Sequence, residues 1–133
     1  MDEVESLGLR IRELLNANGL SELCFPVELL ARECLNNAVI HGNQYAADKS
    51  IVVRLWLGRR WIHLEVCDEG PGFEWREACR KKADTTRSSG RGLQFYALYA
   101  ERVCFNRRGN QITLWISKKK RSGKDDSNGG IRC

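Results

Sequence analysis

Apolar residues recur three and four positions apart early in the chain, at Val4, Leu7, Ile11, Leu14 and Leu15, and Gly19 follows. This spacing predicts an amphipathic helix over residues 4–17, stopped by the glycine. Pro26 suits the first turn of a second helix that runs to about His41 and ends at Gly42-Asn43. At residue 51 the period drops to two. Ile51, Val53, Leu55 and Leu57 share one face of a strand, Gly58-Arg59-Arg60 turn the chain, and residues 61–67 pair back. Residues 74–89 are polar and charged without a period, which predicts a loop with room for one helical turn near residues 76–82. Leu93, Tyr96, Ala97 and Ala100 mark a third helix over residues 92–101, and residues 102–106 and 111–117 form a last hairpin. The expected fold class is α+β: a two-layer α/β sandwich, with a mainly antiparallel sheet of about four strands covered on one face by three helices.

With 133 residues the chain suffices for one domain with a substantial core, expected over residues 1–120. Residues 1–20 carry charges throughout, and no apolar run approaches the roughly 20 residues that cross a bilayer. The expectation is therefore a soluble, cytoplasmic protein with no membrane partner. The net charge of +5 is unevenly placed. Lys118, Lys119, Lys120, Arg121 and Lys124 lead into Ser, Asp, Asn and Gly, so residues 121–133 have the composition of a basic, solvated tail. A second basic group, Arg76, Arg80, Lys81, Lys82, Arg87 and Arg91, brackets the loop before Gly90 and is better placed to meet phosphate. No helix-turn-helix, zinc or aromatic-rich RNA motif accompanies the charge, so nucleic acid is not an expected partner. The six cysteines form no C-x-x-C element and read as reduced, core-filling residues.

The second helix and the second strand carry the candidate chemistry. At about 100° per residue, Val27, Leu30, Ala31, Cys34, Leu35 and Ala38 occupy one apolar arc of roughly 140°. Glu33, Asn37 and His41 run along one edge of that arc, between core and water, while Glu28 and Arg32 face solvent. Asn36 points toward the exposed side, so Asn37 is the better candidate for a functional carboxamide. Alone, a Glu-x-x-x-Asn pair is better read as a solvated helix face, and it is the other clusters that reverse that preference. On the second strand, Asp68 continues the face of Ile62, Leu64 and Val66. A carboxylate on the buried side needs a partner, and the exocyclic amino group of a purine is a suitable donor. Gly70 and Gly72 let the backbone turn close against a ligand. Gly90-Arg91-Gly92-Leu93 opens a helix whose free N–H groups suit phosphate, and Arg91 adds a charge-assisted contact. Each of these motifs taken singly is also compatible with an ordinary turn.

Together and in this order, the three clusters resemble the N box and the two glycine boxes of the GHKL (histidine-kinase-like) ATPase superfamily, across about residues 26–117. The stretch Glu33…Asn37-Ala38…His41-Gly42 and the run Thr85-Thr86-Arg87-Ser88-Ser89-Gly90-Arg91-Gly92-Leu93 most resemble bacterial anti-sigma factor serine/threonine kinases. The resemblance implies a Bergerat-type ATP-binding fold, ATP and Mg²⁺ as cofactors, and a kinase acting on an anti-sigma antagonist protein in a partner-switching pathway. It implies Glu33 as general base, Asn37 as ligand of Mg²⁺ and nucleotide, and Asp68 as the reader of adenine. Gly70, Gly72, Gly90, Arg91, Gly92 and Leu93 would enclose the nucleotide. A sigma factor and a second copy of the chain are further candidate partners. The alternative is an ATP-dependent protein-binding switch that transfers no phosphate. Asn110 departs from the family, which commonly has Thr at the start of the last strand.

Overall fold

A computed structural model describes residues 3–72, 74, 96 and 98–119. Helix α1 spans Glu3–Ala17 and buries Ile11 and Leu15. Its end is a Schellman motif. Gly19 adopts φ of 69° and its N–H meets the Asn16 carbonyl at 3.2 Å, while the Leu20 N–H reaches the Leu15 carbonyl at 2.8 Å. A short 3₁₀ turn over Ser21–Leu23 leads into helix α2, Cys24–Asn37. The expected arc is the buried one: Val27, Leu30, Ala31, Cys34 and Leu35 all face the core. Glu28, expected to face solvent, instead pairs with Arg12 of α1, Nε to Oε1 at 2.9 Å. The α-helical bonding stops at Asn37, and Ala38–Gly42 form a π turn in place of the last α turn.

Strands β1 (Ile51–Leu57), β2 (Trp61–Asp68), β3 (Arg102–Phe105) and β4 (Gln111–Ser117) form one antiparallel sheet in the order β1-β2-β4-β3. Alternation decides which side of each strand is buried. Ile62, Leu64, Val66, Val103, Ile112, Leu114 and Ile116 join Ile11, Leu15, Val27 and Leu30 in one cluster, so α1 and α2 lie against this face. Burying each such Leu or Ile stabilises the fold by roughly 1.5–3 kcal/mol relative to exposure. The opposite face carries a cross-strand row in register: Trp56 opposite His63, His63 opposite Trp115, and Trp115 opposite Arg102. Trp56 and His63 stack with centroids 5.1 Å apart, His63 meets Trp115 edge-on at 5.7 Å, and the Arg102 guanidinium lies 5.1 Å from the Trp115 ring centre.

Among the described residues, two α-helices and four strands give the α+β class. Half of the third helix expected over residues 92–101 falls outside the described residues; of its end, the Ala100 N–H bonds the Tyr96 carbonyl at 2.8 Å. The loop expected over residues 74–89 and the basic tail over 121–133 also lie outside them, Glu74 excepted. Among the described residues no helix is long and apolar enough to cross a membrane. Cys24, Cys34 and Cys67 are free thiols as expected, whereas Cys104 is disulfide-bonded.

Candidate functional site

The last residue of β2 is Asp68, and three backbone segments converge on it. Its N–H bonds the Asn110 carbonyl at 2.9 Å, and its own carbonyl accepts the Asn110 Nδ2 at 3.0 Å. Asn110, the departure from the family pattern, thus grips the Asp68 main chain from the β3–β4 hairpin. The carboxylate turns back over its own chain, with Oδ1 accepting the Gly70 N–H at 2.8 Å. Among the described residues no donor reaches Oδ2. Burial raises the pKa of this carboxyl, opposed first by the Gly70 N–H and then by the charges of Arg108 and Lys49.

Glycines make this convergence possible. A Cβ on Gly42 would overlap the Asp68 carboxylate, and one on Gly70 would overlap the Gly42 carbonyl. Gly72, at φ of 84°, lies against the backbone of Arg108. The turn after β2 is therefore closed against the π turn on one side and the β3–β4 hairpin on the other. The π turn that receives the Asp68 carboxylate at Gly42 begins directly after Asn37, the last residue of α2.

Glu33 is half-buried on α2, and Asn37 follows one turn later on the same rim, while Asn36 is exposed. The helical geometry thus separates the two adjacent asparagines as the sequence indicates. Asn37 does not point freely into solvent. Its Nδ2 donates to the Tyr96 hydroxyl at 2.7 Å. Tyr96 is 3% exposed, and Cys34, one turn before Asn37 on α2, is buried as well. Burial pushes the Cys34 thiol up to about 12 and the Tyr96 phenol above its ordinary value, so both stay neutral.

Two features of the site are absent from the sequence reading. Asn43 is 4% exposed and acts as a clamp: its Nδ2 donates to the Ser50 carbonyl at 3.0 Å and its Oδ1 accepts the Glu69 N–H at 2.8 Å. The Glu69 carboxylate returns a bond to the Ser50 N–H at 2.9 Å. Gln44 and Tyr45 follow at φ of 52° and 61°, left-handed values that cost non-glycine residues of order 1–3 kcal/mol. The only advance signal is Asn43 itself, which as a helix-stop residue reads like any other. Gly90, Arg91, Gly92 and Leu93 lie outside the described residues.

The donor set suits the groups the sequence implies. A purine amino group needs an acceptor, and Asp68 Oδ2 is one with no described competitor. Mg²⁺ takes hard oxygen ligands, and with Nδ2 committed to Tyr96 the Asn37 amide has its oxygen to offer. Among the described residues no cluster of three or more His, Cys, Asp or Glu side chains forms a metal site of its own.

Residues 1–118 match the family model of the histidine kinase-like ATPase domain, so the chain belongs to that family. This is a family of ATP-binding domains within the GHKL-type superfamily. A comparison with curated proteins finds no match.

Proposed function

We propose that this ATP-binding domain is a serine/threonine protein kinase of the anti-sigma factor type, phosphorylating an anti-sigma antagonist protein in a partner-switching pathway. The observation that supports it best is the carboxylate of Glu33, half-buried on α2 one turn before Asn37. A domain that only bound ATP would need the amide and not the base. Asp68 accepts the adenine amino group, and Gly70 and Gly72 hold the turn that carries it. Gly90, Arg91, Gly92 and Leu93, by their resemblance to the second glycine box, would help enclose the nucleotide. Asn37 would hold Mg²⁺ through its Oδ1, and that metal would supply positive charge to the phosphate oxygens. Glu33 would take the proton of a substrate Ser or Thr hydroxyl as that oxygen bonds the γ-phosphorus of ATP and the bond from that phosphorus to the β,γ-bridging oxygen breaks, so that ADP leaves and the proton ends on the carboxylate. A sigma factor and a second copy of the chain belong to the same reading as binding partners, in the cytoplasm.

The test is incubation with labelled ATP and antagonist domains from the same organism. Transfer to Ser or Thr is expected, and Glu33→Gln should lower its rate by about 10²–10⁴-fold while ATP affinity is kept. Wild-type protein that transfers nothing, yet binds its partner only with ATP, would replace this reading with a nucleotide-dependent switch.

A further inference from the structure

We propose that Asn110 is a positioning residue for the Asp68 carboxylate, and that Asn106 holds Asn110 in the orientation this requires. The inference deepens the reading of Asp68 as the acceptor for adenine and rests on it.

Asp68 and Asn110 stand one step beyond the pair Cys67 and Gln111, the last in the β2–β4 register. A regular antiparallel pair at this step would exchange two main-chain bonds. One of them is made, with the Asp68 N–H donating to the Asn110 carbonyl at 2.9 Å. The Asn110 N–H turns instead to Asn106 Oδ1 at 3.1 Å, which also accepts the N–H groups of Gly109 at 2.7 Å and Gln111 at 3.3 Å. A side chain supplies the second bond: Asn110 Nδ2 donates to the Asp68 carbonyl at 3.0 Å. The amide thus completes the rung that holds Asp68 where the main-chain ladder has already turned away.

The sense of this arrangement is fixed from both ends. Main-chain N–H groups only donate, so the Asn106 atom that meets three of them is its oxygen. The Asp68 carbonyl only accepts, so the Asn110 atom facing it is its nitrogen. The other ends of the two amides meet as donor and acceptor, Asn106 Nδ2 to Asn110 Oδ1 at 2.7 Å. Neither amide can turn over without setting like against like. The hairpin also reaches the far end of the turn after β2, where Arg108 Nε donates to the Pro71 carbonyl at 3.3 Å and Gly72 packs on the Arg108 backbone. Between these ties the Gly70 N–H donates to Asp68 Oδ1 at 2.8 Å. The place of the carboxylate is therefore set by main-chain positions that the hairpin holds. Loosening Asn110 moves the acceptor without altering it, and a hydrogen bond weakens steeply as its geometry degrades.

The experiment uses the full chain and two nucleotides, ADP and purine riboside diphosphate, which is ADP without its exocyclic amino group. Calorimetry with saturating Mg²⁺ gives both affinities, and their ratio isolates the contribution of the amino group, while a urea melt follows folding. Asn110→Ala should lower the ratio by about fivefold, the worth of one typical hydrogen bond, with the affinity for purine riboside diphosphate kept within about twofold. Asn110→Asp keeps the oxygen that Asn106 meets but sets an oxygen against the Asp68 carbonyl, and should lower the ratio in the same way. Its added charge acts equally on both nucleotides. If Asn110→Ala does not fold, Asn110→Asp decides alone. An unchanged ratio in these variants, or an equal loss for both nucleotides, overturns the inference. Asp68→Asn is the separate control. If it leaves the ratio at the wild-type value, the adenine assignment fails and takes this inference with it, an outcome distinct from insensitivity at residue 110 alone.

Discussion

Replacing Asp68 by Asn removes a charge while leaving most of the local structure in place. The two bonds that fix residue 68 run through its main chain to Asn110, and a carboxamide keeps both. The side-chain oxygen that accepts the Gly70 N–H is also retained. The change is confined to the second oxygen, which becomes an NH₂ group. Folding stability should therefore stay within about 1 kcal/mol of wild type. Nucleotide binding should not. An adenine amino group that meets an NH₂ instead of an acceptor leaves a buried donor unpaired, which costs on the order of 1–3 kcal/mol, or about 5–150-fold in affinity. The same swap should relax base choice, because the guanine oxygen is repelled by a carboxylate and welcomed by an amide. Calorimetry with ADP and GDP, beside a urea melt, measures both effects. Unchanged ADP affinity with unchanged stability would refute the adenine assignment, and a weaker grip on ADP with unaltered discrimination against GDP would refute the geometry behind it.

The raised Asp68 pKa has a definite sign: the folded state holds this proton more tightly than the unfolded chain. The group therefore favours folding below the ordinary aspartate range and opposes it once pH has risen through the raised value. On the adenine assignment proposed for Asp68, ADP affinity should start to fall on acidification at a higher pH than an ordinary Asp would give, and Asp68→Asn should abolish that inflection in calorimetric pH profiles. Gly70→Ala should cost on the order of 1–3 kcal/mol or more in urea unfolding, because its Cβ meets the Gly42 carbonyl, a backbone atom that cannot swing away. Asn43→Ala removes both arms of the clamp between Ser50 and Glu69, and should lower unfolding free energy by about 1–3 kcal/mol in the same assay.

What the sequence revealed and what it hid divide along a physical line. Helix α1 and the strands are legible because burial on one side imposes a period, and Gly19 stops α1 for a reason visible in one residue. The choice of Asn37 over Asn36 needs only the 100° step. The π turn is not legible, since a fixed angular step cannot register one extra residue within a turn. Gly42 reads as a helix terminator, yet its lack of a Cβ is required by Asp68, 26 residues later and on another element. Asn43 and Tyr96 are hidden for the same reason. Tyr96 falls on the core face of its predicted helix as any aromatic would, and the use of its hydroxyl depends on where α2 sits.

The aromatic row on the open side of the sheet has a consequence for how ligand binding is observed. Trp56, Trp61 and Trp115 account for three of the four tryptophans, and all stand on the face turned away from α1, α2 and the side chain of Asp68. The total indole emission of the protein is thus dominated by chromophores remote from any purine held at Asp68, two of them in ring contact with His63. Trp75, three residues past Gly72, is the single indole whose sequence position adjoins the glycine turn. A fluorescence titration of the wild-type chain would bury the signal of one indole under a bright background from three. Exchanging Trp56, Trp61 and Trp115 for phenylalanine would leave the chain with a single indole, three residues along the sequence from the glycine turn.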